Sequence, residues 1–297
     1  MNLLPVEPAW RLADRAEDQR WLVTGLWSEQ AVGIIGGEPK CCKSFLALDL
    51  AVAVAAGVPC LRRFAVPRAG RVLLYAAEDA LHIVRRRLDG ICAAAGLGLA
   101  DLDVQVITAP AVRLDLEADR RSLDATVAKW RPRLLVLDPF VRLHRIDENA
   151  SGEVAPLLAY LRELQRRHAI AVIVVHHAKK GNLYLRRNRD PGENGDITLT
   201  VEHRAAPAMP GVTLELAQRA NALALEVIEP PTPQTPAPGS LDERITAALA
   251  DVNRPLPFTE LRARCRVRTA TLYERLAALI AAGRLGRSEE GYRLAGH

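Results

Sequence analysis

The sequence predicts an α/β chain: a mostly parallel sheet covered by helices on both faces, an antiparallel extension, and a small separate carboxyl-terminal domain. Three observations predict it. From residue 31 to residue 175, solidly apolar runs alternate with helix-period segments, the order of a parallel sheet whose strands are buried on both sides. Past Gly181 strand-like runs with polar turns follow one another directly, which suits antiparallel neighbours. Glu229 to Ser240 reads EPPTPQTPAPGS, with five prolines, a stiff extended linker that cannot enter a core. The expected domains are therefore 1–228, with residues 1–30 as an amino-terminal arm, a linker at 229–240, and a tail at 241–297.

The elements follow in order. Ala31–Gly36 (AVGIIG) is a buried strand, and Lys43–Gly57 a helix stopped at Gly57 and Pro59. Arg71–Ala76 (RVLLYA) is the next strand, and Ala80–Ala95 a helix with Arg85, Arg86 and Arg87 together on it. Val104–Thr108 is a short strand and Leu116–Trp130 a helix. Arg133–Leu137 (RLLVL) is a strand between Pro132 and Pro139, Glu153–His168 a helix, and Ile170–Val175 (IAVIVV) a strand. Leu183–Arg187, Ile197–His203, Val212–Leu216 and Leu223–Ile228 form the antiparallel extension. Residues 1–30 carry Trp10, Trp21 and Trp27 and are expected to cover a sheet edge or a neighbouring subunit.

Composition excludes several classes. The 297 residues are 49% hydrophobic and 25% charged, ordinary for a globular chain and wrong for a disordered or fibrous one. The longest apolar stretch, Leu50 to Leu61, falls short of the roughly 20 residues that cross a bilayer. Met1 to Leu12 lacks the basic start and apolar block of a secretory leader. Five cysteines, with no CxxC pair, support neither a disulfide framework nor a zinc site, so a reducing cytoplasm is the expected home. The net charge is +5, and the tail holds ten arginines against seven acids. Positive charge is concentrated there, a modest pointer to a polyanionic partner.

The strand AVGIIG is followed by Gly37, Glu38, Pro39, Lys40, Cys41, Cys42, Lys43 and Ser44 and then by a helix. This is the phosphate-loop pattern G-x-x-x-x-G-K-[ST] with Cys42 where the second glycine belongs. Loop N–H groups and the helix start face phosphates; Lys43 reaches the β/γ-phosphates, and the Ser44 hydroxyl takes Mg²⁺. A Cβ at position 42 crowds a backbone that must approach phosphate closely. The bland alternative is a glycine-rich turn before a buried helix.

Asp138 ends the strand RLLVLD, where an acid beside such a loop binds Mg²⁺; many strands also end in Asp as a turn starter. Glu78 and Asp79 follow RVLLYAA at a strand end facing the ligand crevice. Glu78 is the candidate general base and Asp79 the candidate helix cap. His176 and His177 end IAVIVV, followed by Lys179 and Lys180. A lone histidine here is more often a packed or turn residue, but a pair at a crevice-facing strand end suits sensing of a γ-phosphate; adjacent strand residues point to opposite faces, which argues against zinc.

Together, VGIIGGEPKCCKSFLALDLAVAVAAG, VLLYAAEDALHIVRRRL, LLVLDPFVRLH and VIVVHHAKKG resemble the RecA-like ATPases, specifically the plasmid RepA-type hexameric helicases of the AAA_25 family. The likeness covers roughly residues 20–181, with NLYLRR and VEHRAAP similar to the family's closing sheet. It implies a RecA-like P-loop fold and ATP hydrolysis with Mg²⁺ in a homo-hexameric ring, the sites lying between subunits and single-stranded DNA in the channel. It implies Lys43 and Ser44 on nucleotide and Mg²⁺, Glu78 as base, Asp138 as the Mg²⁺ acid and His177 as γ-phosphate sensor. Arg87 becomes a further phosphate contact, and Lys179 and Lys180 contact the DNA backbone. Two departures stand out: Cys42, and the very short segment between Lys180 and Asn182, where the family carries a longer loop with an arginine for the neighbour's site. Arg186, Arg187 or Arg189 is either a substitute for that arginine or a surface residue.

The tail reads as a winged helix: helices at Leu241–Ala250, Phe258–Cys265 and Thr269–Ala282, then a strand–turn–strand wing from Arg284 to Leu294. Thr269 is the expected N-cap, and Leu272, Leu276 and Ile280 the apolar stripe of the third helix. Such a module sets the amino end of its third helix in the major groove of duplex DNA. Arg266, Arg268, Thr271, Tyr273 and Arg275 are then the contacting candidates, with Arg287 and Arg293 on phosphates from the wing. Winged helices also bind proteins, and Glu274, Glu289 and Glu290 dilute the positive face.

Two functions compete. One is an ATP-driven DNA helicase or replication ATPase of plasmid or mobile-element type. The other is a catalytically weak or inactive DNA-binding accessory protein on the same scaffold. Lys43, Ser44, Glu78 and Asp138 favour the first; Cys42 and the short turn favour the second. A small-molecule kinase is weaker, because no acceptor lid is visible in the sequence.

Overall fold

The computed structural model describes all residues except 1–3, 5, 12–15, 17–18, 147–150, 178–180, 188–195, 203–208, 220–221, 229–240, 253, 266, 268, 289 and 296–297. The chain divides into two compact units, Met1–Ile228 and Glu229–His297.

The first unit is built on a sheet of nine strands. They are β3 (Val32–Gly37), β4 (Val72–Ala76), β5 (Val104–Val106), β6 (Leu134–Asp138), β7 (Ala171–Val175), β8 (Leu183–Arg187), β9 (Ile197–Val201), β10 (Val212–Arg219) and β11 (Ala222–Val227). Their spatial order is β11-β10-β9-β8-β3-β7-β6-β4-β5. From β8 to β5 every neighbour pair is parallel; β8 to β11 pair antiparallel. The expected fold class is the observed one. A two-stranded hairpin, β1 (Trp21–Val23) with β2 (Trp27–Ser28), precedes the sheet.

Alternation along the strands builds two cores. Val72 and Leu74, Leu134 and Val136, Ala171 and Ile173 face one side, with helices α1 (Lys43–Ala56) and α2 (Leu81–Ala94). Leu73 and Tyr75, Leu135 and Leu137, Val172 and Val174 face the other, with α3 (Glu117–Trp130) and α4 (Ser151–His168). This is why β4, β6 and β7 read as unbroken apolar runs. Truncating any one of these large side chains to alanine costs about 2–5 kcal/mol. The alternate buried residues of β8 to β10, such as Leu183, Leu199 and Leu214, join the first core only. α1 is apolar on nearly all sides because ten of its residues are buried, from Lys43 to Val54. It stops at Gly57, whose left-handed φ of 70° lets its N–H return to the Ala53 carbonyl at 2.8 Å.

Several boundaries differ from expectation. β6 runs on to Asp138, because Asp138 pairs with Ala76 across the ladder. β9 stops at Val201, and the expected end at His203 lies outside the described residues. The amino-terminal arm contributes its hairpin to the first core through Leu22, Val23, Leu26 and Trp27, whereas Trp10 is exposed. Among the described residues no helix is long and apolar enough to cross a membrane.

The second unit has α5 (Leu241–Ala250), α6 (Phe258–Cys265), α7 (Thr269–Ala281) and a hairpin of β12 (Leu285–Ser288) and β13 (Gly291–Leu294). Ile245, Leu249, Leu261, Leu272, Leu276, Leu279 and Tyr292 form its core. Leu279, rather than Ile280, completes the buried stripe of α7; Ile280 packs at its margin. Leu256 bonds Tyr292 in both directions at 2.9 Å and seals the hairpin to the helices.

Candidate active site

Because β3, β4, β6 and β7 run parallel, their carboxyl ends share one edge of the sheet, the usual place for a ligand in such folds. All the candidates of the first unit that the structure describes gather there.

β3 ends at Gly37, φ 148°, whose bare Cα lets the Leu185 carbonyl approach; a Cβ there would sit 2.4 Å from that oxygen. The loop continues through Glu38, Pro39, Lys40, Cys41 and Cys42 into α1. Lys43 is buried, and its Nζ donates to the Glu38 carbonyl at 2.7 Å and the Gly37 carbonyl at 3.1 Å. Its remaining near neighbour is the Cys41 sulfur at 3.9 Å, a weak acceptor that a phosphate oxygen outcompetes. The loop therefore aims one ammonium across its own mouth.

Cys42 occupies the position of the missing glycine and also its conformation: φ 63°, ψ 27°, without a side-chain cap. A residue with a Cβ costs on the order of 1–2 kcal/mol there. The bend is thus kept at an energetic cost, rather than remodelled around the cysteine. Cys42→Gly is expected to raise stability by about 1 kcal/mol, or 2–4 °C in Tm, read by thermal unfolding.

Ser44 and Asp138 meet directly. The serine hydroxyl donates to the buried carboxylate. Burial pushes Asp138 up to about 6; the Ser44 bond opposes this, the nearby acids Asp79 and Glu78 add to it, and Arg87 opposes it. Glu78 is exposed just past β4. Hard oxygen donors beside a helix start that carries a buried ammonium would suit a Mg²⁺ bound with phosphates, which takes only one or two carboxylates. Among the described residues no cluster of three or more His, Cys, Asp or Glu forms a metal cage.

Asp79 is not the helix cap. α2 begins one residue later, at N-cap Ala80, with no side-chain cap bond. Asp79 instead accepts from Arg87, reaching back from the second turn of α2. The guanidinium of Arg87 also lies 5.1 Å from the Phe45 ring on α1. Arg87 is therefore tied to the acids and to α1, and not free at the surface. Nothing in local spacing signals the Asp79–Arg87 pair, since it forms across a strand end and a helix.

Of the two histidines, His176 is half-buried with its ring edge-on to Phe140 at 5.3 Å, and its N–H bonds the Ile35 carbonyl at 3.0 Å. His177 is exposed at the same edge as Glu78. Lys179, Lys180 and Arg189 lie outside the described residues. Arg187 reaches its own chain's loop: Nη2 donates to the Lys40 carbonyl at 3.1 Å.

In the second unit Thr271 and Tyr273 are exposed on α7, while Arg266 and Arg268 lie outside the described residues. Arg275 is committed to Asp242, donating through both Nε and Nη2, the latter at 2.7 Å. Its acid partner on α5 is what its sequence neighbourhood did not reveal. Arg287 and Arg293 are exposed but lie on opposite faces of the hairpin. Arg287 pairs with Tyr292 and covers its ring, and Arg293 pairs with Gly286.

A solved structure of similar fold is the KaiC-like protein from the hyperthermophilic archaeon Pyrococcus horikoshii OT3. It is 14% identical, with a TM-score of 0.52, over 72% of this chain and 95% of that one. The profile of an AAA domain, AAA_25, matches residues 1–182. With that match over most of the chain, and with the loop, lysine, serine and strand-end acid assembled at one sheet edge, the protein belongs to the AAA_25 family of RecA-like P-loop ATPases.

Proposed function

We propose that the protein binds ATP with Mg²⁺ and hydrolyses it as a RepA-type DNA helicase or replication ATPase. The observation that carries this reading is the Ser44–Asp138 hydrogen bond beside the buried Lys43. It brings the two Mg²⁺-side oxygens to the helix start that faces phosphate. In this reading Ser44 and Asp138 would hold Mg²⁺, which would supply positive charge against the phosphates. Lys43 binds phosphate oxygens, Glu78 orients and deprotonates the attacking water, and His177 reports the terminal phosphate. Cys42 supports the reading too, because it holds the left-handed bend that glycine otherwise supplies.

The family resemblance adds a homo-hexameric ring acting on single-stranded DNA, with Lys179 and Lys180 on its backbone. The helix–helix–helix–hairpin order of the second unit supports a winged helix on duplex DNA. Its contacts would come from Thr271 and Tyr273 on α7 and from one hairpin face at a time. Arg275 would have to exchange its exposed Asp242 pair to join that set.

The test is steady-state ATP hydrolysis by the purified full chain, with and without single-stranded DNA, against Lys43→Ala as blank. DNA-stimulated turnover that vanishes in the variant is the expected result. Turnover no higher than the blank would overturn the motor. A second reading, an accessory protein without hydrolysis, rests on the extra Cβ of Cys42. It predicts that Cys42→Gly creates turnover the natural chain lacks, whereas the motor reading predicts a change of only a few-fold.

A further inference from the structure

The phosphate loop holds two residues other than glycine in the left-handed region, Lys40 at φ 63° and Cys42 at φ 63°. Such backbone persists only where the surroundings fix it. Lys43 grips the inside of the loop through Gly37 and Glu38, and the Cys41 thiol donates to the Glu38 carbonyl at 2.8 Å. None of these bonds holds the exposed crest at Lys40. The contact that does so comes from another strand: the Arg187 guanidinium, bonded to the Lys40 carbonyl at 3.1 Å.

Arg187 stands on a rigid base. It ends β8, two residues beyond Leu185, which is in register with Gly37. At the other end of β8, the Asn182 side-chain oxygen accepts the Ile34 N–H at 3.0 Å. β8 is thus fastened to β3 from before its first residue to Leu185, and Arg187 is delivered to the loop by sheet pairing.

We propose that Arg187 is a positioning residue of the nucleotide site, acting on its own chain: it pins the Lys40 carbonyl so that the bend from Lys40 to Cys42 keeps its N–H groups turned toward phosphate despite the Cβ of Cys42. This rests on the nucleotide-binding reading above. Charge-assisted bonds to a carbonyl are the stronger kind, and only a cationic donor of this reach serves.

The backbone of the loop supplies a second readout, because exchange of its amide hydrogens reports how firmly the bend is held. Two measurements are made on wild type, Arg187→Ala and Arg187→Lys, each checked for an unchanged melting temperature. The first is the Kd of a fluorescent ADP analogue with Mg²⁺. The second is amide hydrogen exchange of the loop from Gly37 to Cys42 in ligand-free protein, followed by mass spectrometry. Arg187→Ala is expected to weaken ADP about tenfold and to speed exchange in the loop while leaving the central strands unchanged. Arg187→Lys restores part of both. A general loss of packing would lower the melting temperature and speed exchange across the sheet as well. ADP affinity equal to wild type in Arg187→Ala overturns the proposal and leaves the nucleotide reading standing. No binding by wild type overturns the nucleotide reading and this inference with it.

Discussion

Asp138→Asn is expected to stabilise the ligand-free protein at neutral pH and to abolish Mg²⁺-dependent turnover. Burial holds this carboxyl at about 6, against an ordinary 3.8. The unfolded chain therefore ionises first as pH rises, binds fewer protons than the native chain between about pH 4 and 6, and stability falls across that window. Below pH 4 both states are protonated and nothing is lost. Above pH 6 the whole cost is present, about 3 kcal/mol for a shift of some two units. Asparagine still accepts the Ser44 hydroxyl and carries no charge to bury. Urea unfolding should show the variant more stable at pH 7.5, equal at pH 3.5, and without the wild-type slope between. Hydrolysis should fall on the order of a hundredfold or more, since on the proposed reading the carboxylate that would hold Mg²⁺ is gone. A variant that keeps the wild-type slope would mean that another group carries it. The same shift predicts that Mg²⁺–nucleotide binding near pH 6 releases a proton, measurable by calorimetry in two buffers.

Asp49→Ala should be the most destabilising single polar substitution in the first unit. Asp49 sits in the middle of the apolar helix α1 and is 2% exposed. It accepts the Leu61 N–H at 2.6 Å, Arg62 Nη1 at 3.0 Å and the Cys60 thiol. Leu61 and Arg62 both have positive φ, 51° and 57°, so the carboxylate holds a strained turn. Arg62 in turn donates to the Leu225 carbonyl on β11, joining α1 to the far edge of the sheet. Removing one partner of a buried pair costs about 3–5 kcal/mol. At 2–4 °C per kcal/mol that is a fall of about 10 °C in Tm. Asp49→Asn keeps the Leu61 bond and should recover part of it. A melting temperature within about 2 °C of wild type in the alanine variant would contradict this account.

These cases mark what could be read from residues alone. β4, β6 and β7 were legible because burial on both faces leaves no charged position before their carboxyl ends, and the loop was legible because its residue types come at fixed spacing. Lys43, Ser44, Asp138, Glu78 and His177 all come to one edge, since parallel strands bring their ends together automatically. What was hidden is of two kinds. The hairpin of β1 and β2 is too short to show a period. The pairs Asp79–Arg87, Arg187–Lys40 and Arg275–Asp242 join residues 8, 147 and 33 positions apart, separations at which spacing carries no signal. An acid inside ALDLAV announces a partner, but the turn that satisfies it lies beyond the helix.

The sheet is sheathed by helices on both sides as far as β3, and beyond it the alternate buried residues of β8, β9 and β10 belong to one core. The two halves should therefore record mutation differently. In β4, β6 and β7 every position short of the strand-end Ala76 and Asp138 should resist a polar residue. In β8 to β10 Tyr184, Thr198, Thr200 and Thr213 should accept one while Leu183, Leu185, Leu199 and Leu214 refuse it. A saturation scan scored by abundance alone would show a two-residue beat that ceases at β3, and so would trace the boundary between the halves without a structure.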